Sequence, residues 1–175
     1  VVFDKTGTLT EGRFGVTDVV PLQDGMGESD ILRAAATLET QSEHPIATGI
    51  VRAAQERDLT LGVAKDFLNI TGQGAQAMID GKQVAVVSPG YLKNTSVVAE
   101  HPRVNELSQQ GKTVVFVTAN GKVMGAIALA DIVRPESHAA IAQLKALNIQ
   151  CMMLTGDASA VAKTVSEQLG LDDYF

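Results

Sequence analysis

The sequence predicts an α/β domain interrupted by an inserted α+β domain, and three observations lead there. The chain opens on an apolar, strand-like run, Val1-Val2-Phe3, that ends at Asp4. Past Asp131 it reads helix, apolar strand, turn, helix, the elements of a parallel βαβ layer that the opening strand can join. Between the two lies a block whose apolar positions alternate with a period of two across glycine-containing turns, the mark of an antiparallel sheet. The expected division is residues 1–11 and 129–175 for the α/β domain and residues 12–128 for the insert.

Taken in order, Thr6 to Gly15 is turn-rich, with Gly7, Gly12 and Gly15, and Val16 to Pro21 is a short β-like segment. Ser29 is the expected cap of a helix with Ile31, Leu32, Ala35 and Leu38 on one face. Ser42 is the expected cap of a second, with Pro45 in its first turn, where a missing N–H costs nothing. Strands follow at Phe67 to Thr71, Ala75 to Ile79 and Gln83 to Val87, the last two joined by the hairpin dipeptide Asp80-Gly81. Val104 to Gln110 is a short helix, and Thr113 to Thr118 pairs with Val123 to Leu129 around Asn120-Gly121. The last third predicts a helix over Pro135 to Leu147, a strand over Ile149 to Leu154 and a helix over Ala158 to Leu169, stopped at Gly170.

Composition narrows the function classes. Of 175 residues 45% are hydrophobic, and 14 Lys+Arg stand against 20 Asp+Glu for a net charge of −6. Without a basic tract there is no footprint for phosphate neutralisation, so no nucleic-acid partner is expected. Cys151 is the only cysteine, which excludes an internal disulfide framework and any CxxC metal site. The longest apolar run, Val123 to Ala130, falls well below the ~20 residues of a membrane span. The start inside a strand and the stop at Phe175 lead us to expect a fragment of a longer chain.

Chemistry concentrates in Asp4-Lys5-Thr6-Gly7-Thr8-Leu9-Thr10. A carboxylate at the C-terminal end of an apolar strand sits where open α/β sheets place ligands. The turn behind it offers backbone N–H groups and hydroxyls to a phosphate. Such an aspartate can act as a nucleophile and become an acyl phosphate. Thr155-Gly156-Asp157 presents a second anion site at a helix N-terminus.

DKTGTLT resembles the phosphorylation motif of the P-type ATPases, members of the haloacid-dehalogenase superfamily. The resemblance implies a haloacid-dehalogenase-like (Rossmann-like) phosphorylation domain, incomplete at its C-terminus, carrying an inserted antiparallel-sheet nucleotide-binding domain. Asp4 would take the γ-phosphoryl group of ATP, and the Asp4 carboxylate and Thr6 carbonyl would coordinate Mg2+. Related phosphatases place a second Asp where Thr6 stands. Without that general acid/base, water is poorly activated against the acyl phosphate and the intermediate persists. Lys5 and Thr155 would hold phosphate oxygens, Asp157 would support nucleotide or loop, and Asp131 and Arg134, in a D-x-x-R-P-like element, would serve the hinge and nucleotide contacts.

In the insert, Ser42-Glu43-His44-Pro45 is similar to a motif of the heavy-metal-transporting P-type ATPases. There His44 would hold the adenine and Glu39 would contact the base, neither as a metal ligand. Gly72-Gln73-Gly74 resembles the G-x-G turn on which nucleotide lies. Val87-Ser88-Pro89-Gly90-Tyr91 departs from the Gly-Asn pair of many copper ATPases and resembles the CopB-like, copper-exporting branch. The resemblance therefore implies the cytoplasmic ATP-binding and aspartyl-phosphorylation unit of a pump in the cell membrane, with copper the ion it points to. Its partners would be ATP, the pump's transmembrane helices and actuator domain, and a Gly-Asp-Gly-x-Asn-Asp segment that completes the phosphorylation domain. The transported ion would be bound elsewhere. The alternative is a module that binds nucleotide without efficient turnover.

Overall fold

The computed structural model describes residues 1–93 and 101–175, which form two compact units. One comprises Val1–Arg13, Gln109–Lys112 and Asp131–Phe175; the other comprises Phe14–Ser108 and Thr113–Ala130. Among the described residues, no helix is long and apolar enough to cross a membrane.

The first unit is built on a parallel sheet ordered β1 (Val2–Asp4), β8 (Met152–Leu154), β9 (Asp173–Tyr174). Phe3 pairs with Met153 and Asp4 with Leu154, so the Asp4 carboxylate stands at the C-terminal edge of the central strands. Helices α5 (Pro135–Ala146) and α6 (Ser159–Leu169) supply the crossovers. Ile141 of α5, Ala162, Val165 and Leu169 of α6, and Leu9, Cys151 and Met153 form one buried cluster. Pro135 at N1 starts α5, and Gly170 in the left-handed conformation (φ 66°) ends α6, as the sequence predicts. Cys151 is fully buried among apolar neighbours.

The second unit is a six-stranded sheet ordered β2 (Thr10–Pro21), β7 (Lys122–Val133), β6 (Thr113–Ala119), β5 (Lys82–Val87), β4 (Gly74–Ile79), β3 (Lys65–Ile70). Strands β3 to β7 pair antiparallel. Strand alternation sends Val84, Val86, Val115, Val117, Ile127 and Leu129 to one face, under α1 (Glu28–Glu39) and α2 (Pro45–Glu56). It sends Ala85, Val87, Val114, Phe116, Ala126 and Ala128 to the other, where Leu92 of α3 (Pro89–Lys93) and Val104 and Leu107 of α4 (Pro102–Gln109) cover them. The hairpin turns place both central residues at positive φ, Asp80 and Gly81 at 49° and 74°, Asn120 and Gly121 at 48° and 76°.

Four local expectations change. The glycine-rich stretch expected to be a turn is strand from Thr10 onward, because Gly12 adopts φ 71° inside β2 and lets it bend while remaining strand. Strand β7 likewise runs past Leu129 to Val133. Helix α1 starts one residue before Ser29, with Gly27 at its N-cap; the Asp30 carboxylate accepts from the Gly27 N–H at 3.1 Å, which Ser29 cannot do from inside the helix. Helix α2 is capped by His44, not Ser42: its Nδ1 accepts the Ile46 N–H at 3.2 Å. His101 repeats the device at α4, its Nδ1 accepting the Arg103 N–H at 3.2 Å.

Gly74 is held by the sheet. At φ 140° a Cβ there would lie 2.0 Å from the Val86 carbonyl oxygen, whereas one at Gly72, φ 69°, would meet nothing within 4 Å. Gly74→Ala is expected to lose ~3 kcal/mol or more in urea unfolding, against roughly 1 kcal/mol for Gly72→Ala, which suffers only the backbone conformation.

Candidate functional site

In the first unit the DKTGTLT residues turn back at the end of β1, through Thr6 (φ −76°, ψ 120°) and Gly7 (φ 79°), so that Thr10 lies back under Lys5. Asp4 is exposed, and no hydrogen bond or ion pair engages its carboxylate among the described residues. Its neighbour is the opposite: Lys5 is 4% exposed, its Nζ 2.9 Å from Asp157 Oδ2 and 3.0 Å from Asp131 Oδ2. Burial alone would lower the Lys5 pKa; hydrogen bonds to Asp157 and Asp131 outweigh it and hold the ammonium above its ordinary value.

Asp131 is saturated. Oδ2 also lies 2.6 Å from the Thr10 hydroxyl, and Oδ1 accepts the Arg13 N–H at 3.1 Å. Arg134 turns its guanidinium onto backbone, Nε donating to the Thr10 carbonyl at 3.1 Å and a terminal nitrogen to the Gly7 carbonyl at 3.3 Å. Ser137, fully within α5, donates to the Leu9 carbonyl at 3.0 Å. The Thr155 hydroxyl donates to Asp157 Oδ2 at 3.1 Å while accepting the Asp157 N–H at 3.2 Å, and the Thr155 N–H donates to the Phe175 carbonyl at 2.9 Å.

These contacts show where the expected site residues stand. Asp131 and Arg134, expected to serve the hinge and nucleotide contacts, hold the turn that presents Asp4. Lys5, expected on phosphate oxygens, has two of its three protons directed at carboxylates. The Thr155 hydroxyl, expected on phosphate, points its single proton at Asp157, and among the described residues the Gly156 N–H has no partner. Thr10 and Ser137 belong to the cluster and were not anticipated; Thr10, fully buried, is the last residue of the motif itself, which was the available signal.

In the second unit, Glu39, His44, Gly72 and Gly74 line one cavity of about 320 Å3, with Asn69, Gln73 and Ser88 as further polar groups and Ile46, Ile70, Ala75, Val86 and Val115 among the apolar ones. The volume suits a small organic ligand. Among the described residues no lysine or arginine lines it. The Ser88 N–H donates to the Gln73 carbonyl at 2.7 Å, and Pro89 begins α3, so of the Ser-Pro-Gly-Tyr segment Ser88 lines the cavity, just ahead of that helix. Because His44 Nδ1 accepts from Ile46, the neutral ring carries its proton on Nε2, a donor for the cavity rim. Glu39 is 7% exposed. Burial pushes its carboxyl up to about 7, only partly opposed by a hydrogen bond from Ser42. A larger groove of about 760 Å3 on the same unit is rimmed by Arg33, Lys82 and Lys122 and by Asp30 and Asp80.

A family profile described as haloacid dehalogenase-like hydrolase matches residues 1–175. The chain belongs to the haloacid dehalogenase-like hydrolase family. Within that family it is 54% identical over 175 residues to the copper-exporting P-type ATPase B of Archaeoglobus fulgidus, covering all of this chain and 25% of that relative. It is 38% identical over 178 residues to the zinc/cadmium/lead-transporting P-type ATPase of Escherichia coli K12, covering 98% of this chain and 23% of that protein. The crystal structure of a zinc-transporting PIB-type ATPase in its E2.Pi state superposes with TM-score 0.87 at 37% identity, over 98% of this chain and 28% of that one. The chain thus spans about a quarter of the length of these relatives.

Two outcomes follow for this hydrolase domain. Lys5→Met strands two carboxylates around a buried apolar side chain and is expected to lower stability by about 3 kcal/mol in urea unfolding of the chain, with Lys5→Arg retaining more. Glu39 has the reverse sign: its folded carboxyl titrates near 7 against 4.5 in an open chain, so its contribution is intact below about 4.5 and is lost as pH rises through about 7. Glu39→Gln should therefore raise stability at pH 8 by on the order of 2–3 kcal/mol and leave pH 4 almost unchanged, read as Tm across that range.

Proposed function

We propose that this chain is the ATP-binding and aspartyl-phosphorylation segment of a heavy-metal-translocating P-type ATPase, with copper as the exported ion. The observation that carries the reading is the state of Asp4. In a cluster where Asp131 and Asp157 both pair with Lys5, the carboxylate left without a partner among the described residues is the one at the C-terminal edge of the parallel sheet.

The chemistry follows from that arrangement. An Asp4 oxygen attacks the γ-phosphorus of ATP, the bond from that phosphorus to the β,γ-bridging oxygen breaks, and ADP leaves with its electron pair. Asp4 and the Thr6 carbonyl are hard oxygen donors with no lysine or arginine occupying them, a donor set that fits Mg2+ with waters completing its shell. The ion would supply charge neutralisation at the transferring phosphoryl group. Thr6 offers no carboxylate to activate water, so the acyl phosphate is stable enough to be coupled to conformational work. The cavity of Glu39 and His44 takes the base: it is largely apolar and of nucleoside dimensions, and among the described residues no lysine or arginine lines it, so the phosphates project out of it. Copper is supported by the 54% identity to the Archaeoglobus fulgidus exporter.

A second reading, a nucleotide-binding module without turnover, is favoured by one observation: the cavity of Glu39 and His44 is lined by residues of the second unit alone, so binding of a base there does not require Asp4. One experiment separates the two. With γ-labelled ATP and Mg2+, the complete pump is expected to form an acid-stable phosphoenzyme that Asp4→Asn abolishes, by at least about a hundredfold, while nucleotide still protects the chain from unfolding. Label persisting in Asp4→Asn would overturn the assignment of the nucleophile; protection without label in the wild type would establish the binding module.

A further inference from the structure

We propose that the groove rimmed by Arg33, Lys82 and Lys122 in the second unit is a second ligand site, which takes a small organic oxyanion. The anionic head lies against the two lysines and an apolar body lies against the floor between α1 and the sheet. The proposal stands apart from the nucleotide-binding reading, because the groove and the Glu39 cavity have no lining residue in common.

Backbone sets the position of the two lysines. Strand β6 lies between β5 and β7, and Lys82 and Lys122 open those flanking strands at the same end of the sheet, where β6 finishes at Ala119. Asn120 ties the two hairpins together there: its N–H donates to the Gln83 carbonyl at 2.8 Å, and its Oδ1 accepts the Gln83 N–H at 3.0 Å. Among the described residues neither ammonium is in an ion pair, whereas Arg33 lies 3.7 Å from Asp30, which also accepts the Gly27 N–H. With three cations facing Asp30 and Asp80, the rim carries a positive surplus in a chain of net charge −6. Like charges held at one end of a sheet without a counter-ion make a region of positive potential, and an oxyanion relieves it.

Behind the rim the groove is apolar. Ile79, Val84 and Met124 are buried and Met26, Ala34 and Leu61 half-buried, in a volume of about 760 Å3 that admits a ring-sized body. The thioethers of Met26 and Met124 suit an aromatic ring. Thr37, 1% exposed, adds a donor: its hydroxyl accepts the Gly62 N–H at 3.1 Å, and the hydroxyl proton has no acceptor among the described residues. An inorganic ion would leave the apolar wall wet, and a neutral apolar molecule would leave the ammoniums without a counter-ion; an oxyanion on an apolar body satisfies both. Helix α1 and strands β4, β5 and β6 carry this groove at one end and the Glu39 cavity at the other. The two sites can therefore be filled together, each ligand bracing the same four elements.

The test is an NMR titration of the chain with benzoate and with phenyl phosphate, which share a ring and differ in the oxyanion; inorganic phosphate and benzyl alcohol represent head and body alone. Saturable shifts are expected at the amides of Arg33, Lys82, Asn120 and Lys122 with one or both ring-bearing anions, the tighter of the two identifying the head group. Inorganic phosphate and benzyl alcohol should bind at least about tenfold more weakly. The ring-bearing anions should lose affinity between about 0.01 M and about 0.15 M ionic strength. Lys82→Gln and Lys122→Gln should each weaken binding about threefold and the double variant about tenfold. Both lysines are exposed, so the spectrum away from the groove should stay that of the wild type. Adenosine added in excess should leave the groove shifts in place. No saturable shift with either anion overturns the proposal, as do shifts confined to Lys5 and Thr155 to Asp157 or to Glu39 and His44. Equal affinity for inorganic phosphate or benzyl alcohol, or a double variant that binds like the wild type, overturns it as well. The wild-type map and its salt dependence stand even if a variant fails to fold, and failure of adenosine to bind bears on the nucleotide-binding reading alone.

Discussion

The Lys5 ammonium, buried between Asp131 and Asp157, is the interaction on which the first unit depends. It joins three segments that are far apart in the chain: the turn after β1, the end of β7, and the turn before α6. Each carboxylate in turn fixes backbone or hydroxyl groups, Asp131 through Thr10 and the Arg13 amide, Asp157 through Thr155. The result is a rigid seat with one carboxylate, Asp4, left over. Tying the neighbouring carboxylates to Lys5 is a physical means of leaving one carboxylate held in place and unengaged.

Charge is managed differently in the second unit. There Glu39 is buried with no cation paired to it among the described residues, and burial pushes its carboxyl up to about 7. Such a group weakens the folded state at alkaline pH and gains its value from what enters the cavity, since a hydrogen-bond donor on a ligand supplies what the protein withholds. His44 completes the contrast, because capping α2 through Nδ1 sets the ring's tautomer before any ligand arrives.

Much of the fold was legible in the sequence because it depends on local rules. Asp80-Gly81 and Asn120-Gly121 specify hairpin turns by conformational preference alone, and the unbroken apolar run Val114 to Val117 marks a strand buried on both faces. The clearest misreading had a shared cause: Gly12 looked like a turn and is a bend in a strand, which only pairing with β7 decides. Ser29 and Ser42 are good caps by residue type, but Asp30 and His44 hold better positioned acceptors. Propensity ranks candidates, and geometry chooses among neighbours a residue or two apart.

The candidate sites divide along the same line. By itself the sequence determined the chemical types: an aspartate at a strand end in DKTGTLT with threonine two residues on, a Thr-Gly-Asp turn, and a Ser-Glu-His-Pro helix start. These are properties of residues adjacent in the chain, where spacing and turn chemistry suffice. Only the tertiary structure decided which charges are free and which are tied. That Lys5 belongs to Asp131 and Asp157, that Arg134 grips the Gly7 and Thr10 carbonyls, that Gly74 serves strand β5, and that Glu39 has no cation beside it all depend on contacts across many tens of residues. Coulomb energy and desolvation are set by distance and burial, and neither is written in the order of the residues.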